Sequence, residues 1–174
     1  MRFAPGDKVV YPLHGVGCVE RLEKREVLGN EQMYYIIRIA SDDMTVMIPV
    51  ERSDELGLRG IVGKKDVDLA LDILVKKCNA GMDDDWKARF NMNKDKIRTG
   101  SIFEVSEVVR NLFQRSKDKE LSSSEKKLYE SAYQLLVDEI SLRLESERSV
   151  VEDMIAEKLE EGQKRAARRK KKTT

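Results

Sequence analysis

One histidine, two cysteines, three prolines and a single tryptophan stand among 174 residues, and the scarcities close off whole function classes. His14 is the only imidazole, in the turn Pro12-Leu13-His14-Gly15, so no second histidine or nearby cysteine pair completes a metal site. A Ser/His/Asp or Cys/His relay would rest on His14 alone, and no motif points to one. Cys18 and Cys78, sixty residues apart, form neither a disulfide framework nor a zinc knuckle and read as reduced thiols. No apolar run is long enough to span a bilayer. The opening residues hold Asp7 and Lys8 rather than the apolar stretch of an export signal, so the chain is expected in the cytoplasm. A P-loop and a GxGxxG segment opening a helix are both missing. Asp83, Asp84 and Asp85 lack the alternation of a calcium loop and read as a helix cap. Binding is expected rather than catalysis, with no cofactor and no metal.

Net charge is also scarce, at +1, but it is unevenly spread. Seven basic residues between Lys164 and Lys172 have no acid among them. Without them the chain carries 26 basic residues against 32 acidic ones, a net of −6. A mildly acidic body does not coat nucleic acid broadly, so any DNA contact is local or runs through the tail.

What is present divides in two. Up to about residue 60, short runs of β-formers alternate with turn residues. Lys8 to Tyr11 follows Pro5-Gly6-Asp7, Val16 to Leu22 follows a glycine turn, Gln32 to Ala40 follows Gly29-Asn30, and Met44 to Val50 follows Ser41-Asp42-Asp43. Four or five such strands predict a small barrel. From Lys64 the period is helical. Val67, Ala70, Leu71, Leu74, Val75 and Cys78 make one stripe, and Ile102, Val105, Val108, Val109, Leu112 and Phe113 another. Ser101 to Glu104 and Ser122 to Glu125 fit capping boxes. Asn79-Ala80-Gly81 ends the first helix, and Trp86 to about Arg98 forms the next. A weakly apolar stretch over 149–162 with Val150, Met154, Ile155 and Leu159 closes the domain. The predicted organisation is α+β: a β-domain over 1–60, a compact all-helical domain over 64–162 and a disordered basic tail over 163–174.

Trp86 admits two readings. Trp86, Phe90 and Ile97 share a helical face by spacing, and pattern alone favours core. Alternatively, an aromatic ring at a helix start, among Lys87, Arg89, Lys94, Lys96 and Arg98, is a contact that wedges against a base step.

Phe3 to Pro12 followed by His14-Gly15-Val16-Gly17 resembles the opening of the CarD/CdnL family, whose N-terminal module is shared with transcription-repair coupling factor. Met44 to Pro49 and Gly57-Leu58-Arg59 match in order and position. So do Trp86-Lys87-Ala88-Arg89-Phe90, Val105 to Leu112, and Leu121-Ser122 with Glu125-Lys126-Lys127. The resemblance spans roughly residues 1–145 and draws on motifs of both halves. It implies a Tudor-like domain that binds the RNA polymerase β subunit through a strand edge. It also implies a helical domain whose tryptophan, here Trp86, enters the minor groove at the upstream edge of the open promoter. By the same resemblance Arg25 lies at the polymerase interface. Met47 stands where some relatives carry an arginine for that interface, and Asn91 where some carry a lysine near DNA. Lys87 and Arg89 compensate for Asn91, and Lys126 or Lys127 approaches the DNA backbone. The expected protein is a monomeric, non-enzymatic regulator associated with the nucleoid through polymerase. The rival is a protein-interaction adaptor that uses the β-domain edge and ignores DNA.

Overall fold

A computed structural model describes residues 2–41, 43–78 and 85–172. The chain divides into two compact units, Met1–Ile61 and Val62–Thr174.

The first unit is a five-stranded antiparallel sheet in the order β4-β3-β2-β1-β5. Its strands are β1 (Lys8–Tyr11), β2 (Gly15–Val27), β3 (Asn30–Ile39), β4 (Thr45–Pro49) and β5 (Arg59–Gly60). β4 and β5 sit at opposite ends and share no ladder among the described residues, so the expected barrel is an open sheet. The reason is lopsided strand length: β2 runs for 13 residues, whereas β5 has two and cannot bridge back to β4. The β2–β3 turn falls on Leu28-Gly29, one residue earlier than the Gly-Asn signal predicts. Both residues have positive φ, 55° and 79°, the geometry that matches strand twist in a two-residue hairpin. One face buries Val9, Val19, Tyr35, Ile37, Ile39, Ile48 and Leu58. The buried Tyr35 hydroxyl is satisfied by the backbone N–H groups of Arg2 and Phe3, at 3.0 and 3.3 Å. Gly17 is required where β2 crosses β3: a Cβ there would lie 2.7 Å from Ile37 Cγ2 and 2.8 Å from the Arg38 carbonyl oxygen.

The second unit packs five helices: α1 (Lys64–Val75), α2 (Trp86–Arg98), α3 (Ile102–Asp118), α4 (Ser123–Leu144) and α5 (Arg148–Lys172). Val67, Ala70, Leu71 and Leu74 of α1 and the predicted stripe of α3 meet the Ala132, Leu136, Val137 and Ile140 face of α4 in one core, whereas α1 ends at Val75 and leaves Cys78 beyond the helix and outside that core. The N-cap at Ser101 makes no side-chain hydrogen bond, so only the second predicted capping box, at Ser122, is formed. Of the aspartates read as a cap, Asp85 is the N-cap of α2, accepting the Lys87 N–H at 2.9 Å. Asp83 and Asp84 lie outside the described residues, as do Asn79-Ala80-Gly81 and the turn residue Asp42.

The last helix departs most from expectation. α5 docks firmly through Val151, Ile155 and Leu159, all buried, while Val150 is half exposed. Its backbone continues helical to Lys172, so the basic segment from Gln163 is not a disordered tail. Residues 163–172 contain only Gln, Lys, Arg and Ala, all strong helix formers, and cations at a helix C-terminus complement its dipole. No helix among the described residues is long and apolar enough to cross a membrane.

Candidate functional site

The predicted contact residues fall on two separate surfaces, one in each unit. In the β-unit, register places Arg25 and Met47 on the same side of the sheet. Cross-strand partners share a face, and Arg21, Ile36 and Met47 form one such row. Glu23, Tyr34 and Pro49 form the next, and Arg25 with Gln32 the third. This side lies opposite the core row of Leu22, Tyr35 and Ile48. Met47 is 40% exposed on the edge strand β4, beside the buried Ile36. Arg25 lies beyond the end of β4, where the β2–β3 hairpin continues alone, roughly 13 Å along the strand from Ile36. Its Nε donates to Glu23 at 2.7 Å, and Arg21 grips the same carboxylate at 2.9 Å. The hydrogen bond from Arg25, then that from Arg21, holds the Glu23 carboxyl below its ordinary value. Among the described residues β4 is laddered on one side only, which leaves an edge for strand pairing.

In the helical unit, Trp86 is the first residue of α2 and 48% exposed, so the core reading of its spacing does not hold. The Lys87 ammonium lies 5.8 Å from the centre of the indole, within cation–π reach. Asn91, Lys126 and Lys127 are exposed, and Lys126 pairs with Glu120 at 2.8 Å.

Arg89 corrects the sequence reading. It is 2% exposed and does not present its guanidinium to solvent. Its Nε donates to Glu125 Oε1 at 2.6 Å, and Glu125 is itself 1% exposed. The other oxygen of Glu125 accepts the Ser122 N–H and hydroxyl, both at 3.0 Å, closing the capping box of α4. Burial pushes the Glu125 carboxyl up, but the hydrogen bonds from Arg89 and Ser122 outweigh it, and the group sits below its ordinary value. A single carboxylate thus ties the first turn of α2 to the first turn of α4, placing Trp86 and Lys87 on a helix start joined to the one that carries Lys126 and Lys127. α2 is also held by the ion pair of Lys96 with Glu107 of α3 and by Ile97 in the core. Its inward face is Arg89, Asn93 and Ile97, and the fully buried Asn93 amide has no hydrogen-bond partner among the described residues. Sequence reasoning found Glu125 as a cap, from the Ser-x-x-Glu spacing, but not as the partner of Arg89. Nothing local marks a contact across 36 positions.

Comparison with known proteins fits this two-unit arrangement. Residues 3–62 match the family model described as CarD-like/TRCF RID domain, and residues 70–156 match the CarD C-terminal domain. The chain is 41% identical over 143 residues to the "Putative transcription factor YdeB" of Bacillus subtilis (strain 168), covering 80% of this chain and 91% of that protein. Sheet, helical unit and both matches define a two-domain, non-enzymatic regulator of transcription. The chain belongs to the CarD family.

Proposed function

We propose that the protein docks on the RNA polymerase β subunit with its β-unit and stabilises the promoter open complex by a minor-groove contact at the upstream edge of the bubble. One observation carries the reading: a half-exposed indole at the first position of a helix whose seat is held by a buried ion pair. A ring so placed meets a base step without rearranging its own domain, and an inserted apolar wedge offsets part of the cost of unstacking, a few kcal/mol. Lys87, Asn91, Lys126 and Lys127 approach the flanking backbone. Lys126 gives up only an exposed pair, of little worth. Arg89 acts through the position of α2 and does not touch DNA. On the polymerase side, the β4 edge takes an extended segment of the β subunit, with Met47 and Arg25 on the adjoining face.

Affinity comes from the polymerase contact, and the DNA contact acts on kinetics. A wedge that fits only the melted junction shifts the closed-to-open equilibrium by its differential affinity. About 1.4 kcal/mol of such preference lengthens open-complex lifetime about tenfold. With few base-edge contacts, promoters are sorted by their kinetics rather than by an operator.

The test is open-complex lifetime on a linear promoter fragment with purified bacterial polymerase, comparing no protein, wild type and Trp86→Ala. Support is a longer lifetime with wild type that Trp86→Ala loses while still binding polymerase. An unchanged lifetime, at concentrations where wild type demonstrably binds polymerase, would overturn the wedge and leave the adaptor reading.

A further inference from the structure

The acid-free basic run lies beyond residue 156, where the match to the CarD C-terminal domain ends, and the wedge makes no use of it. In the fold it is not isolated. Gly162 sits against the last turn of α1, where a Cβ would lie 2.8 Å from the Leu74 carbonyl oxygen and 3.1 Å from that of Val75. Gln114 holds the end of α1 from the other side, donating to the Lys76 carbonyl and accepting the Cys78 N–H, both at 3.1 Å. The end of α1 and the stretch of α5 around Gly162 line a cleft of about 430 Å³ with Lys76, Lys77, Lys158 and Arg165, and with Asp72 and Glu161. Past it, Lys164 and Arg168 are exposed, and the sequence sets Arg169, Lys170, Lys171 and Lys172 along the same helix.

We propose that this junction of the α1 end with α5, continued along the basic stretch of α5, is a second nucleic-acid surface that takes the phosphate backbone of duplex DNA without reading sequence. The chemistry selects the partner. Two carboxylates in the cleft, Glu161 already paired with Arg165, oppose a compact anion held inside it. The cations instead follow one another along the helix. Lys158 to Lys172 spans about 21 Å of helix, and duplex DNA offers one negative charge per about 1.7 Å of axis. There is no aromatic residue after Tyr133 to stack single-stranded bases. Beyond Gly162 the only apolar residues are Ala166 and Ala167, too little to seat a helix in a lipid surface. Gly162 seats this helix against the end of α1. The surface is independent of the β-unit and of Trp86. It adds a salt-sensitive grip on DNA that needs no polymerase.

The experiment titrates the full chain into a fluorescent duplex of arbitrary sequence, without polymerase, across a salt series. The variants are Lys164→Gln/Arg165→Gln/Arg168→Gln, Lys76→Gln/Lys77→Gln and Trp86→Ala, with circular dichroism as a check on folding. The expected result is at least tenfold weaker binding for the triple variant at low salt. Its slope of log affinity against log salt falls by about 0.9 for each phosphate that is no longer neutralised. Lys76→Gln/Lys77→Gln weakens binding less, and Trp86→Ala weakens it less than the triple variant does. If Trp86→Ala abolished duplex binding while the triple variant kept it, or if wild type bound no duplex, the proposal would be overturned. Binding confined to anionic phosphatidylserine vesicles would overturn it as well. Open-complex lifetime reads the wedge separately: loss of duplex binding in the triple variant with an intact lifetime effect separates the two surfaces.

Discussion

Arg89→Met is the most demanding perturbation of the helical unit. It removes the guanidinium and leaves Glu125 at 1% exposure with only Ser122 as partner. Breaking a buried ion pair by deleting one member costs about 3–5 kcal/mol, because a charge is stranded in low dielectric. The two hydrogen bonds from Ser122 survive, and the carboxyl can take up a proton, so the lower end, about 3 kcal/mol, is expected. For a unit of this size that is a fall of roughly 10–20 °C in the melting temperature, read by circular dichroism on the full chain. The pH profile is the sharper check. In the wild type the folded-state Glu125 sits below its ordinary value of 4.5, so its stabilisation is present above that pH and is lost as pH falls through the folded value. In Arg89→Met burial still pushes the carboxyl up while the strongest of the hydrogen bonds that hold it down is gone, so its folded value moves up from that of the wild type. The variant therefore loses less stability on acidification than the wild type does. Arg89→Met/Glu125→Gln, with no stranded charge, recovers about half of the loss. A loss under about 1 kcal/mol, or a variant whose acid profile parallels the wild type, would refute the assignment of Arg89 as the pin of α2.

Trp86→Ala, by contrast, removes a half-exposed ring and shifts stability by no more than about 0.5 kcal/mol, so any functional loss in it is a contact effect that urea unfolding separates from folding. Gly17→Ala forces a Cβ against Ile37 and the Arg38 carbonyl and destabilises the β-unit by about 1–3 kcal/mol, seen as a lower urea midpoint. Met47→Arg is tolerated at an exposed edge position and, placed on the Arg25 face, tightens binding to a purified β-subunit fragment severalfold; unchanged or weaker binding by calorimetry removes this face from the polymerase interface.

How legible the protein was depended on the range of the interactions involved. Residues whose roles are set within a few positions of themselves were readable. The Ser122–Glu125 cap, the Asp85 N-cap, the α1 stripe as far as Leu74 and the α3 stripe all lie where spacing places them. The hairpin turn was off by one residue, because Leu28 adopts a left-handed conformation that its side chain does not advertise. The α5 extension was misread from charge, although helix propensity in the same ten residues pointed the other way. On α2 the pattern selected the wrong face: a Trp86, Phe90 and Ile97 stripe was expected inside, and Arg89, Asn93 and Ile97 are there instead.

By itself, then, the sequence determined the α+β division, the order of strands and helices, the family, and the absence of motifs for a catalytic relay. All of these follow from local propensity, periodicity and composition, which act over short stretches of chain. Tertiary structure alone decided that the sheet stays open, that Arg25 and Met47 share a face, that Arg89 is buried and Trp86 half exposed, and that Gly162 seats α5 against the end of α1. These outcomes rest on strand register and on pairs such as Arg89 with Glu125, 36 positions apart, whose energies exist only once desolvated groups meet.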